Sequence, residues 1–164
     1  MRYLAARNPR HSPPITLVPM RSMYDCMTCV SAMLLGIEYD EVEQAFGGNL
    51  DPSKVNDESS RKKESERLWR AFFKLLEKHH RGMVEFSEMP TIAEGRRYWV
   101  EVQIHDPSSP LSKTVSHSIA IDEFGKVFDP NREYGEFRSL KEWKAAVTLP
   151  YELRGAKEIF EYSL

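Results

Sequence analysis

Cysteine is scarce in this sequence: 164 residues contain two, Cys26 and Cys29. Only three positions apart, they cannot staple distant segments, which excludes the disulfide framework of a small secreted scaffold. Long apolar runs are absent too. Nothing approaches the roughly 18–20 residues of a membrane span, so a membrane is not an expected partner. The basic start, with Arg2, Arg7 and Arg10, lacks the apolar stretch of a secretory signal. The cytoplasm is therefore the expected location, or delivery to a host or target cell without a signal peptide. Nor does one sign of charge dominate. Twenty-three Lys and Arg against 25 Asp and Glu leave a net charge of -2. No global positive field would draw the chain to nucleic acid, which is not an expected partner. Internal repeats and low-complexity tracts are lacking as well.

What is present is a core-forming composition, 41% apolar and 11% aromatic, of a length that suits one domain over residues 1–164. Residues 1–14, with Pro9, Pro13 and Pro14, read as an irregular arm, and Ile15 to Val18 as a short strand stopped by Pro19. From Cys26 the apolar positions Cys29, Val30, Met33 and Leu34 recur at helical spacing, with Asp25 as N-cap and Gly36 as the stop. A second helix is expected over Asp40 to Phe46, ended by Gly47-Gly48, then a polar loop to Asn56. The longest helix runs from about Asp57 to His80. Its stripe is Leu68, Trp69, Phe72, Phe73, Leu75 and Leu76, and Arg61-Lys62-Lys63-Glu64 make its wet end.

The second half changes period. Met83–Phe86, Tyr98–His105, Ser116–Asp122, Lys126–Asp129 and Glu158–Tyr162 read as strands of an antiparallel sheet. Ser139-Leu140-Lys141-Glu142 is a capping box opening a helix over Leu140–Val147. Helices first and strands later give an α+β domain, with the N-terminal helices covering one face of the sheet.

Chemistry concentrates at Cys26. A thiol is a useful nucleophile only as thiolate, and a helix's first turn favours that charge through its unpaired N–H groups. Asp25 opposes it unless its carboxylate is turned into the cap, so a nearby cation is needed, and His117 is the candidate. Cys29, one turn on and in line with the apolar stripe, reads as core.

Ser116 to Asn131 reads as a tight hairpin with a Glu123-Phe124-Gly125 loop, Gly125 supplying positive φ. Asp122 then pairs with Lys126, Ile121 with Val127, Ala120 with Phe128 and Ile119 with Asp129. His117 faces Asn131. By the period-two rule His117, Ile119, Asp129 and Asn131 share one face. An acyl-transfer base needs a third group to hold its tautomer and support its positive form, and Asp129 or Asn131 can serve. Asp129, at the strand end before Pro130, is preferred.

These residues resemble the papain-like cysteine peptidase superfamily, nearest the small bacterial and phage proteins related to bacteriocin-processing peptidases. The resemblance rests on Tyr24 to Ile37, Tyr39 to Val42 and Ser116 to Asn131, about a quarter of the chain. It implies Cys26 as nucleophile, His117 as base and then acid, and Asp129 as orienting residue. It also implies a cysteine-bearing helix packed on an antiparallel sheet that carries the histidine; a peptide or protein substrate is expected, with no metal and no cofactor. One departure matters. Where the family carries a Gln whose amide binds the oxyanion, six residues before the cysteine, this chain has Met20, which cannot donate. Ser22 and Arg21 are the substitute donors nearest in sequence. Met27 stands where many relatives carry Gly.

The expected function is thus hydrolysis of a peptide, isopeptide or side-chain amide bond. Three rivals remain. With Met20 in place of Gln the chain is alternatively an inactive papain-like binding module. Cys26-Met27-Thr28-Cys29 at a helix start also suits a thiol-disulfide oxidoreductase, although the βαβ crossovers such a protein needs are not visible. Cys26 and Cys29 with His79, His80, His105 or His117 would supply a metal site, without convincing ligand spacing. Trp99, His105 and Ser108-Ser109-Pro110 are expected beside the cleft.

Overall fold

Apolar spacing and glycine stops build the first half. The computed structural model describes residues 13–105 and 114–161. Helix α1 (Cys26–Leu35) buries Cys29, Val30, Met33 and Leu34, and ends at Gly36, whose φ of 66° lets its N–H reach the Ala32 carbonyl at 2.9 Å. Only glycine fits there, since a Cβ would meet the Pro13 ring at 2.6 Å. Helix α2 (Tyr39–Phe46) follows, then a short 3₁₀ turn (Pro52–Lys54) within the expected polar loop. Helix α3 (Glu58–Lys78) is capped by the Asp57 carboxylate, which accepts from Ser60 N at 2.8 Å.

Two details of the α3 stripe differ from expectation. Phe73 is 43% exposed, because the helix presents Leu68, Phe72, Leu75 and Leu76 to the core and Phe73 lies past that arc. Glu64, expected in the wet end, is buried. It pairs with Arg67, whose guanidinium also bonds the carbonyls of Phe46, Gly48 and Asn49 and so satisfies the orphan carbonyls at the end of α2.

The second half is a six-stranded antiparallel sheet of order β1-β6-β2-β3-β4-β5. Its strands are β1 (Arg81–Phe86), β2 (Arg97–His105), β3 (Thr114–Ile121), β4 (Val127–Asp129), β5 (Gly135–Phe137) and β6 (Tyr151–Glu161). Helix α4 (Leu140–Ala146) precedes β6. On one face Trp99, Ala120, Phe128 and Ile159 pack with α1, α2 and α3. On the other Val100, Val102, Ile119, Ile121 and Val127 pack with Trp143 of α4.

Strand β6 starts seven residues earlier than expected, at Tyr151. The polar Glu152, Arg154 and Gly155 conceal it in the sequence, and the register shift opposite Glu101 and Val102 breaks its period. Strand β5 is not legible in the sequence, because three residues carry no period. Ile15 to Val18 form no strand. Prolines on both sides remove ladder donors, and Ile15 is buried in the helix-side core instead. In α4 Ser139 Oγ accepts from Glu142 N at 3.2 Å, but Glu142 reaches back to Arg138 N, closing the box one residue early. Of the expected arm, residues 1–12 lie outside the described residues, as do Tyr162 and Ser108-Ser109-Pro110.

Candidate active site

Cys26 is the first residue of α1, where backbone N–H groups lack helical partners. Asp25 occupies the cap position but makes no side-chain cap bond, contrary to expectation. Its carboxylate is fully buried and accepts instead from Arg21 N at 2.8 Å and from the Tyr39 hydroxyl at 2.7 Å. It ties the 21–25 loop to α2, and burial away from the helix axis costs it the capping geometry. Arg21 is likewise engaged, 2.9 Å from Asp40 with its guanidinium 3.8 Å above the Tyr39 ring.

One turn on, Cys29 is fully buried. Burial first, then the charges of Asp25 and Cys26, push its thiol far above the ordinary range. Such a thiol is inert at neutral pH.

The hairpin has the expected register. Ala120 pairs with Phe128 and Ile121 with Val127, and Gly125 turns at a φ of 81°. His117 Nε2 lies 2.7 Å from Asp129 Oδ1. The Asp129 carboxylate has two further donors, Asn131 N to Oδ1 at 2.9 Å and Trp143 Nε1 to Oδ2 at 2.8 Å. Three donors leave it little rotational freedom. Asn131 does not meet the imidazole through its side chain, which accepts from Glu133 N at 3.0 Å in the turn after β4. Trp143 could not be picked out from the sequence, because its tie to Asp129 spans fourteen positions and a helix.

With Nε2 committed to Asp129, Nδ1 is the nitrogen left to face the Cys26 thiol, whose nearness also acts on the imidazole. Burial alone would lower the His117 pKa. The Asp129 bond, then the neighbouring Cys26 sulfur, then the charges of both outweigh it and push it up from 6.5 to about 10. The resting site therefore favours imidazolium beside sulfur.

Cys26, Ser116, His117 and the exposed Met23 lie where two cavities meet. The first, of about 520 Å³, is walled by Met20 to Met23, the 131–134 turn, Ile104 and Leu149. The second, of about 450 Å³, runs between the sheet and α3, past Met27, Trp69, Glu101 and Arg154. Trp99 lines neither, contrary to expectation. It is fully buried with its ring centroid 4.9 Å from Trp69 and 4.8 Å from Phe72, since its place on β2 points it under α3. His105 is exposed and outside both walls, because it is the last residue of β2.

Met20 lines the first cavity with no side-chain donor. Its N–H donates to Pro130 O at 2.8 Å and its carbonyl accepts from Arg132 Nε at 2.6 Å. Ser22 Oγ accepts from Tyr24 N at 3.2 Å at the same cavity's edge. Among the described residues, no group of three or more His, Cys, Asp or Glu side chains is placed to hold a metal ion, and His79 meets Glu41 instead.

Among the described residues, four helices packed on a six-stranded antiparallel sheet, with a cysteine heading the first helix and a histidine on β3, make up an α+β fold. A solved structure shares it: the peptidase domain of Streptococcus ComA, a bi-functional ABC transporter involved in a quorum sensing pathway. The likeness has a TM-score of 0.50 at 12% identity and covers 90% of this chain and 98% of that one. No family model and no curated protein matches the sequence. No helix among the described residues is long and apolar enough to cross a membrane.

Proposed function

We propose that the protein is a cysteine-dependent hydrolase of a peptide, isopeptide or side-chain amide bond. Cys26 is the nucleophile, His117 the general acid and base, and Asp129 the orienting residue. One observation carries this reading: Cys26 and His117, the latter 2.7 Å from Asp129, stand together where two cavities meet, so an extended chain lying in both would cross the thiol. The fold shared with a peptidase domain supports it at the level of class.

In the first step the Cys26 thiolate attacks the carbonyl carbon, the carbonyl π pair moves onto oxygen, and His117 gives its proton to the leaving nitrogen as the C–N bond breaks. Acylation neutralises the sulfur, whose influence helps to raise the His117 pKa. The imidazole becomes easier to deprotonate and takes a proton from the water that releases the acyl group. One residue thereby serves as acid and then as base without leaving Asp129.

The test is alkylation by iodoacetamide at pH 7. Cys26 is expected to react about tenfold or more faster than a free thiol. His117→Ala should fall to the free-thiol rate, and Cys29→Ser should keep the wild-type rate. If Cys26 labels like a free thiol and His117→Ala changes nothing, the reading is wrong.

A further inference from the structure

Acyl transfer puts a negative charge on the carbonyl oxygen, and a site that stabilises it needs donors aimed at that atom. The backbone N–H at the head of α1 is one. The side chain at Met20 supplies none, so a second must come from elsewhere on the wall of the first cavity.

On that wall Arg21 is held by Asp40 and Tyr39, while Ser22 and Asn131 accept from Tyr24 N and Glu133 N through their side-chain oxygens and keep only neutral donors. Arg132 differs. Its Nε is anchored on the Met20 carbonyl at 2.6 Å, and among the described residues its two Nη atoms have no partner. Met20 N in turn bonds Pro130 O at 2.8 Å, so the 131–134 turn and the loop leading to Cys26 are clamped together by two opposed bonds. A guanidinium is a rigid planar fork. With Nε fixed on one side, Arg132 lines the same cavity as Cys26 and His117. Its charge reaches the head of α1, where it favours the anionic form of the deeper Cys29.

We propose that Arg132 is the second oxyanion donor, a catalytic residue that replaces a neutral amide with a charged fork held at the Met20 position. The inference rests on the acyl-transfer reading. In the step concerned, the sulfur's electron pair forms the S–C bond, the π pair moves to the oxygen facing Arg132, and collapse expels the leaving group with its pair. Alkylation by iodoacetamide, by contrast, displaces iodide from a tetrahedral carbon and develops no oxyanion.

That contrast separates the two claims. Acylation by p-nitrophenyl acetate, followed as the p-nitrophenolate burst, and alkylation by iodoacetamide are measured on wild type, Arg132→Ala, Arg132→Lys and Ser22→Ala. Arg132 is exposed, so its truncation leaves the core intact. We expect Arg132→Ala to lose acylation by about tenfold to a hundredfold while alkylation stays within about twofold, and Arg132→Lys to recover part of the loss. Wild-type acylation in Arg132→Ala overturns the proposal. So does a parallel fall of both rates, which would make Arg132 a support for the thiol, and so does a loss found in Ser22→Ala but not in Arg132→Ala. Failure of the reading itself shows differently, as slow alkylation of the wild type that ignores His117.

Discussion

At the scale of single residues, His117 decides the most, because it is a buried imidazole held charged by its neighbours. Its pKa of about 10 lies above the unfolded 6.5, so protonation favours the folded state. That contribution is complete below pH 6.5 and is lost as the pH rises through 10. The urea midpoint of the wild type should therefore fall between pH 7 and 10 more steeply than that of His117→Gln; equal slopes would contradict the assignment. In catalysis the same group sets an alkaline limit, since an amide nitrogen leaves only with a proton. Asp129→Asn removes the partner that raises the pKa most, so the alkaline limb of the acylation profile, measured with an amide substrate, should move from about pH 10 toward neutrality. An unmoved limb would mean that Asp129 does not govern the imidazole.

At the scale of elements, the site depends on two that the sequence conceals. Helix α4 brings Trp143 onto Asp129 from the face of the sheet opposite α1. Trp143→Phe leaves Asp129 Oδ2 buried without its donor and should cost about 1–3 kcal/mol, read from urea unfolding. Strand β6 supports β2 through a bulge at Gly155, where a Cβ would stand 2.6 Å from the Phe86 carbonyl on β1. Gly155→Ala must push β1 away and is expected to cost on the order of 1–3 kcal/mol, while leaving iodoacetamide reactivity at Cys26 near normal because the strain falls at the far edge of the sheet. Patterns of period 3.6 with a glycine stop, as in α1, were plain in the sequence. Short strands with polar or bulged positions, as in β5 and the first half of β6, were not, because their pairing partners lie far along the chain.

At the scale of the whole molecule, one sheet separates two cores. Trp69 and Trp99 belong to the helix side and Trp143 to the other, so tryptophan fluorescence samples both. Since β2 and β3 contribute alternate residues to each core, neither can melt while the other holds. Fluorescence and far-ultraviolet circular dichroism should give one coincident urea transition. A first phase seen in fluorescence and absent from Trp143→Phe would show that the α4 side unfolds separately.

Local physics determined what local sequence can encode. The start and stop of α1, the α+β order of elements and the hairpin register that sets His117 beside Asp129 follow from apolar period, glycine turns and strand alternation. Tertiary structure alone decided the rest. The buried use of Asp25, the indole on Asp129, the burial of Trp99 away from the cleft and the clamp of Arg132 on Met20 join residues up to 112 positions apart. Such contacts depend on how layers stack, and no periodicity along the chain records that.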